Sequence, residues 1–491
     1  MVRVWVLAAI LVGCAGCARD DAGGTLAAIK ARGTITYGAD LAGGEPYIFE
    51  DPQNPKQVIG FEVDLMQAVA RRLGVKAEMK QYAWSNLVPS LERGDFDIVM
   101  NGLEATAERQ SRIRLSEAYF IYAETLAVRH GSPYKNLADL KGKRVGTLNQ
   151  TVAHDLLRAE PLEVVIYEGN EEPYIDLEQG RIDAVLLDNI IADRYGCIAA
   201  RPSIVCVPDE IARGTYVIGA RKADADLVKA IDSALAAMRA DGELERILRK
   251  VKLWDVRQTQ PAPAIAADSG VRSRAFDGTQ VTRFLEGALV TLQLSVLAFL
   301  IAVPIGLLLA VARVFGSLPA RVFARIYIEV FRGTPVLLQL FLLYYGLAPY
   351  YSMGPITAAV LGLGLNYAAY EAEVYRGALL AIPRGQSEAA RALGLSPWQS
   401  LRHVLVPQAL RLALPPMTND FVSLLKDSSL VSVITVIELT KRMQIAAVDM
   451  RGWLLPGLAC AALYLAMSVP LSELARRLER RLARDQRPQA L

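Results

Sequence analysis

Histidine and cysteine are scarce in this chain. Its 491 residues contain three histidines, His130, His154 and His403, and five cysteines. The histidines are far apart in sequence and show no close metal-ligand spacing, so we expect no metal site. The motif Gly-x-x-x-x-Gly-Lys-Ser/Thr is also absent, which argues against ATP binding through a P-loop. We therefore expect this polypeptide to bind no cofactor of its own.

A surplus of charge of one sign is missing as well. Lys and Arg number 54 and Asp and Glu number 51, which gives a net charge of +3. A dedicated nucleic-acid-binding protein would concentrate basic residues on one face, so no nucleic-acid partner is expected. Apolar residues make up 53% and the mean hydropathy is +0.25, yet charged residues reach 21%. This combination indicates one soluble part and one part that lies in lipid.

The N-terminal segment, residues 1–17, has the pattern of a signal peptide. Arg3 precedes a short apolar run from Val4 to Val12, and small residues and cysteines follow it. Leu-Val-Gly-Cys resembles a bacterial lipobox, which makes Cys14 a candidate for lipidation. The alternative is an ordinary export signal with incidental cysteines. In either case we expect the next segment to be exported.

Residues 26–256 show short β-type runs that alternate with helical patterns. This order predicts an α/β domain with mainly parallel sheets and a ligand site at the strand C-terminal ends. Its length favours two lobes, which we place at about 26–128 with 214–256, and at about 129–213. Cys197 and Cys206 lie close together in this exported part. They predict a small-loop disulfide, with two free thiols as the alternative.

Residues 257–275 contain Pro, Ala and Gly without periodicity and predict a linker. Residues 280–480 predict an all-α transmembrane domain, because residues 287–312 carry no charge and are long enough to span a bilayer. Further spans centre on residues 335–347, 356–369, 422–437 and 453–471, which makes about five helices.

The basic residues suggest how these spans are oriented. With the soluble domain outside, most arginines of the loops and the basic tail at 476–491 lie on the cytoplasmic side, as the positive-inside rule requires. Lys441, Arg442 and Arg451 oppose the rule, since they fall in a predicted outside loop.

A conspicuous motif lies in the loop at 382–407, between the third and fourth spans. The residues Ser387 to Gly394 read Ser-Glu-Ala-Ala-Arg-Ala-Leu-Gly, typical of a short amphipathic helix that ends at a glycine. A helix lying on the membrane surface is the alternative. The stretch resembles the EAA loop of ABC-importer permeases, whose coupling helix docks on an ATPase subunit. The resemblance implies an ABC ATPase partner that uses ATP, and it assigns coupling roles to Glu388, Ala389, Ala390 and Gly394.

Two other motifs narrow this resemblance. The stretches Arg332-Gly333-Thr334-Pro335 and Leu425-Lys426-Asp427-Ser428-Ser429-Leu430 are similar to the histidine/glutamine-type permeases of the polar amino-acid importers, which have the type I importer fold. Two identical copies, or this chain with a related permease subunit, would then form the pore. Lys426 and Asp427 are pore candidates, because ionisable groups at membrane depth usually face a protein interior or a water-filled path. A purely structural Lys–Asp pair is the alternative.

Residues 26–256 resemble the amino-acid solute-binding proteins of family 3, which are two-lobed type II periplasmic binding proteins. The resemblance rests on Gly60-Phe61-Glu62-Val63-Asp64, Gly94-Asp95-Phe96-Asp97 and Glu108-Arg109. It implies an amino-acid ligand whose α-carboxylate binds Arg109 and whose α-ammonium binds Asp188. The same resemblance places three further residues at the ligand: Gly102, Thr151 through its hydroxyl, and Trp84 as an aromatic wall. A core position is the alternative for Trp84.

Two departures from that family concern specificity. The aromatic residue expected just before Pro46 is absent, and Glu104 stands where threonine or serine is usual. An acidic group there predicts a ligand with an extra donor or positive charge, such as a basic or amide amino acid. Alternatively, Glu104 points away from the ligand or pairs with Arg109.

The sequence as a whole predicts a membrane subunit of an ATP-driven amino-acid importer, with receptor and pore in one chain. We expect it in the cytoplasmic membrane, with the receptor on the periplasmic side and the C-terminus in the cytoplasm. A ligand-gated channel of glutamate-receptor type is the alternative. Cyclohexadienyl dehydratases share the binding-protein fold, but an enzyme of that kind leaves the five spans unexplained.

Overall fold

The structure is a computed structural model that describes residues 24–197, 201–265, 276–351, 353–450 and 452–485. The predicted signal peptide with Cys14, part of the predicted linker and residues 486–491 of the predicted tail lie outside the described residues. Residues 476–485 continue the last helix.

The first lobe is built on a five-stranded mixed sheet. Its strands, in spatial order, are Lys76–Gln81, Thr34–Ala39, Ile98–Val99, Gly219–Ala220 and Arg114–Leu115. The first three are parallel and the last two run antiparallel to their neighbours. A hairpin of Phe49–Asp51 and Asn54–Ile59 flanks the sheet. The helices are Gly24–Arg32, Phe61–Leu73, Leu87–Arg93, Ala107–Arg112, Ala225–Ala240 and Glu243–Lys250.

The second lobe has its own sheet, which extends beyond the predicted boundaries. Its strands, in spatial order, are Ile204–Cys206, Phe120–Arg129, Ala184–Asp188, Arg144–Leu148 and Glu163–Tyr167, and Ala212–Tyr216 also pairs with Phe120–Arg129. The lobe therefore covers more than residues 129–213, because the long strand Phe120–Arg129 forms antiparallel ladders with three strands of this sheet. Both sheets are mixed rather than mainly parallel.

Short helices and a disulfide complete the second lobe. The helices are Val152–Arg158, Glu172–Glu178 and Asn189–Ile191, followed by the π-helical turn Ala192–Cys197. Cys197 and Cys206 form a disulfide, which ties this turn to the edge strand Ile204–Cys206.

The regular elements among the described residues of the C-terminal part are all helical. Its long helices are Gly278–Phe315, Leu318–Gly333, Pro355–Ala381, Val406–Asp427 and Leu454–Asp485. Shorter elements are Val336–Phe341 with the π-helical turn Leu342–Gly346, Arg384–Ala392, Pro397–Ser400 with the turn Leu401–Leu405, the 3₁₀ helix Ser428–Ile434, and Leu439–Asp449.

Length and composition alone identify fewer spans than the sequence analysis predicts. Gly278–Phe315 and Leu454–Arg477 qualify, and a third span results if Leu318–Gly333 and Val336–Gly346, which meet at 103°, count as one. The predicted second span, centred on residues 335–347, coincides with Val336–Phe341 and the turn Leu342–Gly346, and the charged helix Leu318–Gly333 precedes it. The predicted span centred on residues 422–437 does not coincide with one helix, because helix Val406–Asp427 ends at Asp427 and the 3₁₀ helix Ser428–Ile434 follows it. Pro415 and Pro416 lower the hydropathy of the turns that precede it.

The hydrophobic clusters separate into receptor clusters and permease clusters, as the sequence analysis predicts. The clusters of residues 26–254 contain only receptor residues. The remaining clusters contain only residues from 276 onwards. In the helical part, Gly306 lets helix Gly278–Phe315 approach Pro355–Ala381 closely, because a Cβ there would meet Glu371 Cβ at 2.6 Å. The receptor domain therefore has a hydrophobic core of its own.

Candidate ligand cleft and coupling helix

A cavity of about 350 Å³ lies between the two receptor lobes, a volume suited to a small ligand. The cavity is lined by Asp40, Gly43, Tyr47, Gln81, Ala83, Trp84, Ser85, Asn101, Gly102, Glu104, Leu148, Asn149, Thr151, Tyr167, Glu168, Asn170, Asp188, Ile191 and Tyr216. Five of the six residues that the sequence analysis places at the ligand are among them. The sixth, Arg109, lies behind Glu104.

The lobes contact each other across this cleft. The indole Nε1 of Trp84 donates to the Asn149 carbonyl at 3.1 Å, and Tyr47 Oη donates to Asp188 at 2.9 Å. The backbone N–H of Val152 donates to the Glu104 carboxylate at 3.0 Å. Each bond joins one lobe to the other, so the structure shows a closed cleft.

Asp188 stands at the C-terminal end of a central strand, where α/β folds place ligand-binding groups. It caps the following short helix, since its Oδ1 accepts the Ile191 N–H at 3.0 Å. Burial raises the pKa of Asp188, while the Ile191 N–H and the Tyr47 hydroxyl oppose the rise. The carboxylate is thus held in a fixed position in the cleft wall.

Glu104 and Arg109 form a buried pair. Arg109 Nη1 donates to the Glu104 carbonyl at 2.8 Å and lies 3.4 Å from Oε2, and Nη2 donates to the Gln150 carbonyl at 2.7 Å. Glu104 is only 4% exposed; burial raises the pKa of its carboxyl, and Arg109 opposes the rise. Pairing with Arg109 was one of the alternatives for Glu104, and the same side chain also lines the cleft. The role of Arg109 at a ligand carboxylate stays a prediction.

Three predicted residues shape the cleft wall. Gly102 has φ +61°, and a Cβ there would lie 3.1 Å from the Tyr47 ring. Thr151 uses its hydroxyl to cap helix Val152–Arg158, accepting from His154 N at 3.2 Å and donating to Leu148 O at 3.0 Å. Trp84 is half-buried, and its ring centroid lies 5.3 Å from the Arg109 guanidinium. Contact of these residues with a ligand stays a prediction.

Several residues that line the cavity, among them Tyr47 and Asp40, were not predicted from the sequence. The aromatic residue expected just before Pro46 is instead Tyr47, which directly follows Pro46 and lines the cavity. Asp40 directly follows the strand Thr34–Ala39. Because α/β folds place ligand-binding groups at the C-terminal ends of strands, this position could have predicted Asp40 from the sequence. Glu124 does not line the cavity; it is fully buried in the strand Phe120–Arg129, opposite Asp188 in the strand ladder. Burial and the neighbouring Glu104 raise its pKa well above the usual range.

The cleft is strongly acidic. Its lining includes the carboxylates of Asp40, Glu104, Glu168 and Asp188, and no Lys, Arg or His among the residues that the structure describes. Such a lining favours ligands that bring positive charge or hydrogen-bond donors.

The predicted coupling loop contains the helix Arg384–Ala392. Glu388 and Ala389 are exposed, and Leu393, just after the helix, is 81% exposed. Ala390 is buried, so it packs inward and does not share the exposed face with Ala389. Gly394 has φ +79° and ends the segment. The helix therefore presents an open surface that is partly apolar and carries charges of both signs, Glu388 with Arg384 and Arg391.

The two pore candidates differ in their surroundings. Asp427 accepts a hydrogen bond from Tyr367 Oη at 2.7 Å. It also lines a cavity of about 530 Å³ together with Arg332 and Asp420. Lys426 is exposed and is not part of that lining. Only Asp427 is thus brought to a cavity.

Both parts of the chain match known families. Residues 35–252 match the bacterial extracellular solute-binding proteins, family 3, and residues 302–484 match the binding-protein-dependent transport system inner membrane component. The chain is 44% identical over 202 residues to the glutamine transport system permease protein GlnP of Escherichia coli (strain K12), a match that covers 40% of this chain and 92% of that protein. This chain belongs to the amino-acid ABC importer permeases.

A second permease relative agrees with this family. The importer subunit is 36% identical over 201 residues to the L-cystine transport system permease protein TcyB of Bacillus subtilis (strain 168), covering 40% of this chain and 86% of that protein. A solved structure of an ancestral arginine-binding protein bound to arginine is 30% identical and covers 45% of this chain and 98% of that one, with a TM-score of 0.42. The chain is a multi-pass inner-membrane subunit that joins a solute-binding receptor to a permease. Its relatives give no support to a ligand-gated channel.

Proposed function

We propose that this importer subunit takes up an amino acid whose side chain carries a positive charge or an amide. The observation that carries the proposal is the acidic lining of the cleft, with its four carboxylates and no basic side chain among the described residues. An anionic side chain would meet like charge there, which costs binding free energy. Relatives named for glutamine transport support this ligand class.

The two ends of the amino acid would bind opposite lobes. Asp188 would accept hydrogen bonds from the α-ammonium. Arg109 would bind the α-carboxylate once that group displaces Glu104 from the guanidinium and from the Val152 N–H. Trp84 would form one wall of the site, and Gly102 and Thr151 would shape the other contacts. Closure is favoured because only the closed cleft supplies both sets of contacts.

Calorimetry on the receptor domain, residues 24–265, tests the ligand class, since this domain has its own hydrophobic core. We expect L-arginine, L-lysine or L-glutamine to bind more tightly than L-glutamate and L-aspartate. Replacing the exposed residue Glu50 (Glu50→Gln) should leave this order unchanged. Tightest binding of L-glutamate or L-aspartate would contradict the proposal.

A separate ABC ATPase subunit would supply the energy, so that this chain itself is not an enzyme and binds no ATP. The exposed Glu388, Ala389 and Leu393 of the coupling helix would dock on that ATPase, with Ala390 and Gly394 fixing the shape of the segment. A second copy of the chain, or a related permease subunit, would complete the pore. The receptor would face the periplasm, where it collects the amino acid for transport by alternating access.

The permease half of the proposal includes a polar path through the membrane. Asp427 would face the pore through the cavity that it lines. Lys426, the adjacent residue, would also contribute its charge to the pore. Co-purification of an ATPase, followed by uptake in proteoliposomes, tests this half. Uptake should require ATP and should be lost in Glu388→Ala while the receptor still binds its amino acid. Uptake without any ATPase would refute the mechanism.

A further inference from the structure

One contact joins the ligand cleft directly to the permease. Lys441 of helix Leu439–Asp449 is only 3% exposed, and its Nζ lies 3.1 Å from Glu168 Oε1 of the receptor. Glu168 lines the ligand cleft. Lys441 is also one of the basic residues that oppose the positive-inside rule. Its ion pair with Glu168 of the receptor accounts for a positive charge on this side of the membrane.

A second contact between the receptor and the permease lies close to the Lys441–Glu168 pair. Asp176 accepts hydrogen bonds at 2.7 Å from two tyrosine hydroxyls, that of Tyr167 in the cleft wall and that of Tyr344 in the permease. Arg181 donates to Asp176 at 2.9 Å and to the Tyr344 carbonyl at 3.2 Å, and its guanidinium lies 4.1 Å from the Tyr344 ring centroid. These side chains are almost completely buried. Because Tyr167 and Glu168 are adjacent, both contacts act on the same stretch of cleft wall.

We propose that docking of the receptor on the permease places Lys441 against Glu168 and thereby weakens the hold of the cleft on a cationic amino acid. The proposal rests on the cationic ligand class proposed above. Glu168 is one of the carboxylates that attract the ligand, and an ammonium at 3.1 Å cancels much of its charge. By thermodynamic linkage, the ligand must then weaken docking by the same factor. The amino acid is thus released where the permease can receive it.

The test compares amino-acid affinity in the full chain with that of the receptor domain. L-arginine should bind the full chain about three- to fivefold more weakly than it binds the isolated domain, the range expected for one partly exposed ion pair. Lys441→Met should restore the affinity of the full chain for L-arginine to that of the domain. Binding of L-glutamine, whose side chain is neutral, should change little. Glu168→Gln should weaken L-arginine binding to the isolated domain by a similar factor.

The matched control is Arg442→Met, which removes the neighbouring charge. Arg442 pairs with Glu286 of the permease at 3.4 Å, so its loss should leave arginine affinity unchanged. An equal effect of Lys441→Met and Arg442→Met, or equal effects on L-arginine and L-glutamine, would overturn the proposal.

Cross-linking tests the contact without a ligand. The double variant Glu168→Cys/Lys441→Cys should form a disulfide in the full chain under mild oxidation, and its failure to form would refute the contact. If neither L-arginine nor L-glutamine binds the isolated domain, the proposed ligand class fails.

Discussion

The buried acid Glu62 gives the most quantitative prediction for the receptor domain. Glu62 is fully buried beneath the cleft, where it accepts the Gly102 N–H at 2.6 Å and the Tyr119 hydroxyl. Burial raises the pKa of its carboxyl from 4.5 to about 7, although those two donors oppose the rise. A shift of this size corresponds to about 3 kcal/mol of unfolding free energy.

The sign follows from proton binding. Between about pH 4.5 and about pH 7 the folded domain holds a proton on Glu62 that the unfolded chain has lost. The free energy of unfolding therefore falls as pH rises through this window, and the loss is complete above about pH 7. Glu62→Gln removes the titration and keeps a carbonyl oxygen that can still accept both hydrogen bonds.

Urea unfolding of the receptor domain at several pH values measures this effect. The stability of Glu62→Gln relative to the unsubstituted domain should rise by about 3 kcal/mol between about pH 4 and about pH 8. Glu50→Gln is the control, because Glu50 is exposed to water in the folded domain and its loss should add no such trend. A stability difference for Glu62→Gln that stays constant across this pH range would refute the reasoning.

Four further substitutions or treatments test other parts of the chain. Glu104→Gln removes a negative charge from the cleft wall and should weaken L-arginine relative to L-glutamine by about tenfold in calorimetry; an unchanged ratio would contradict a role in charge selection. Asp188→Asn should reduce amino-acid affinity by at least about thirtyfold, because a buried charged partner of the ammonium is lost, and near-normal affinity would remove Asp188 from the site. Gly394→Val should abolish ATP-driven uptake without changing receptor affinity, since φ +79° is costly for a β-branched residue; normal uptake would show that the turn is dispensable. Reduction of the Cys197–Cys206 disulfide, with its sequence separation of 9, should lower the unfolding free energy of the receptor domain by about 2.5 kcal/mol, and no change in urea unfolding would argue against a stabilising role.

Local patterns predicted the two-part architecture because each part has its own chemistry. Alternating β and α signals identified the receptor, and an uncharged run identified helix Gly278–Phe315. The other permease helices were harder to locate. Leu318–Gly333 carries several charges, and Val406–Asp427 contains two prolines inside the helix. Helices that pack against protein tolerate such residues, and hydropathy then no longer reports where they begin and end.

The cleft shows a similar division. Motifs identified Trp84, Gly102, Glu104 and Asp188 because each stands in a recognisable local stretch. No local pattern could pair Glu168 with Lys441, since 273 residues separate them. The sequence spacing of Glu104 and Arg109 also could not show whether Arg109 pairs with Glu104 or with a ligand. That choice depends on how the two lobes close, because the third group at the pair, the Val152 N–H, comes from the opposite lobe.

Three carboxylates of the cleft have partners in three different parts of the molecule: the opposite lobe, the same lobe and the permease. Tyr47 holds Asp188 across the closed lobes, Arg109 pairs with Glu104 within one lobe, and Lys441 reaches Glu168 only when the receptor is docked. Lobe opening removes the first contact, and undocking removes the last. The negative potential available to a cation therefore depends on both movements. A receptor fused to its permease can use this dependence, because the linker keeps docking frequent and the ion pair then favours release at the permease.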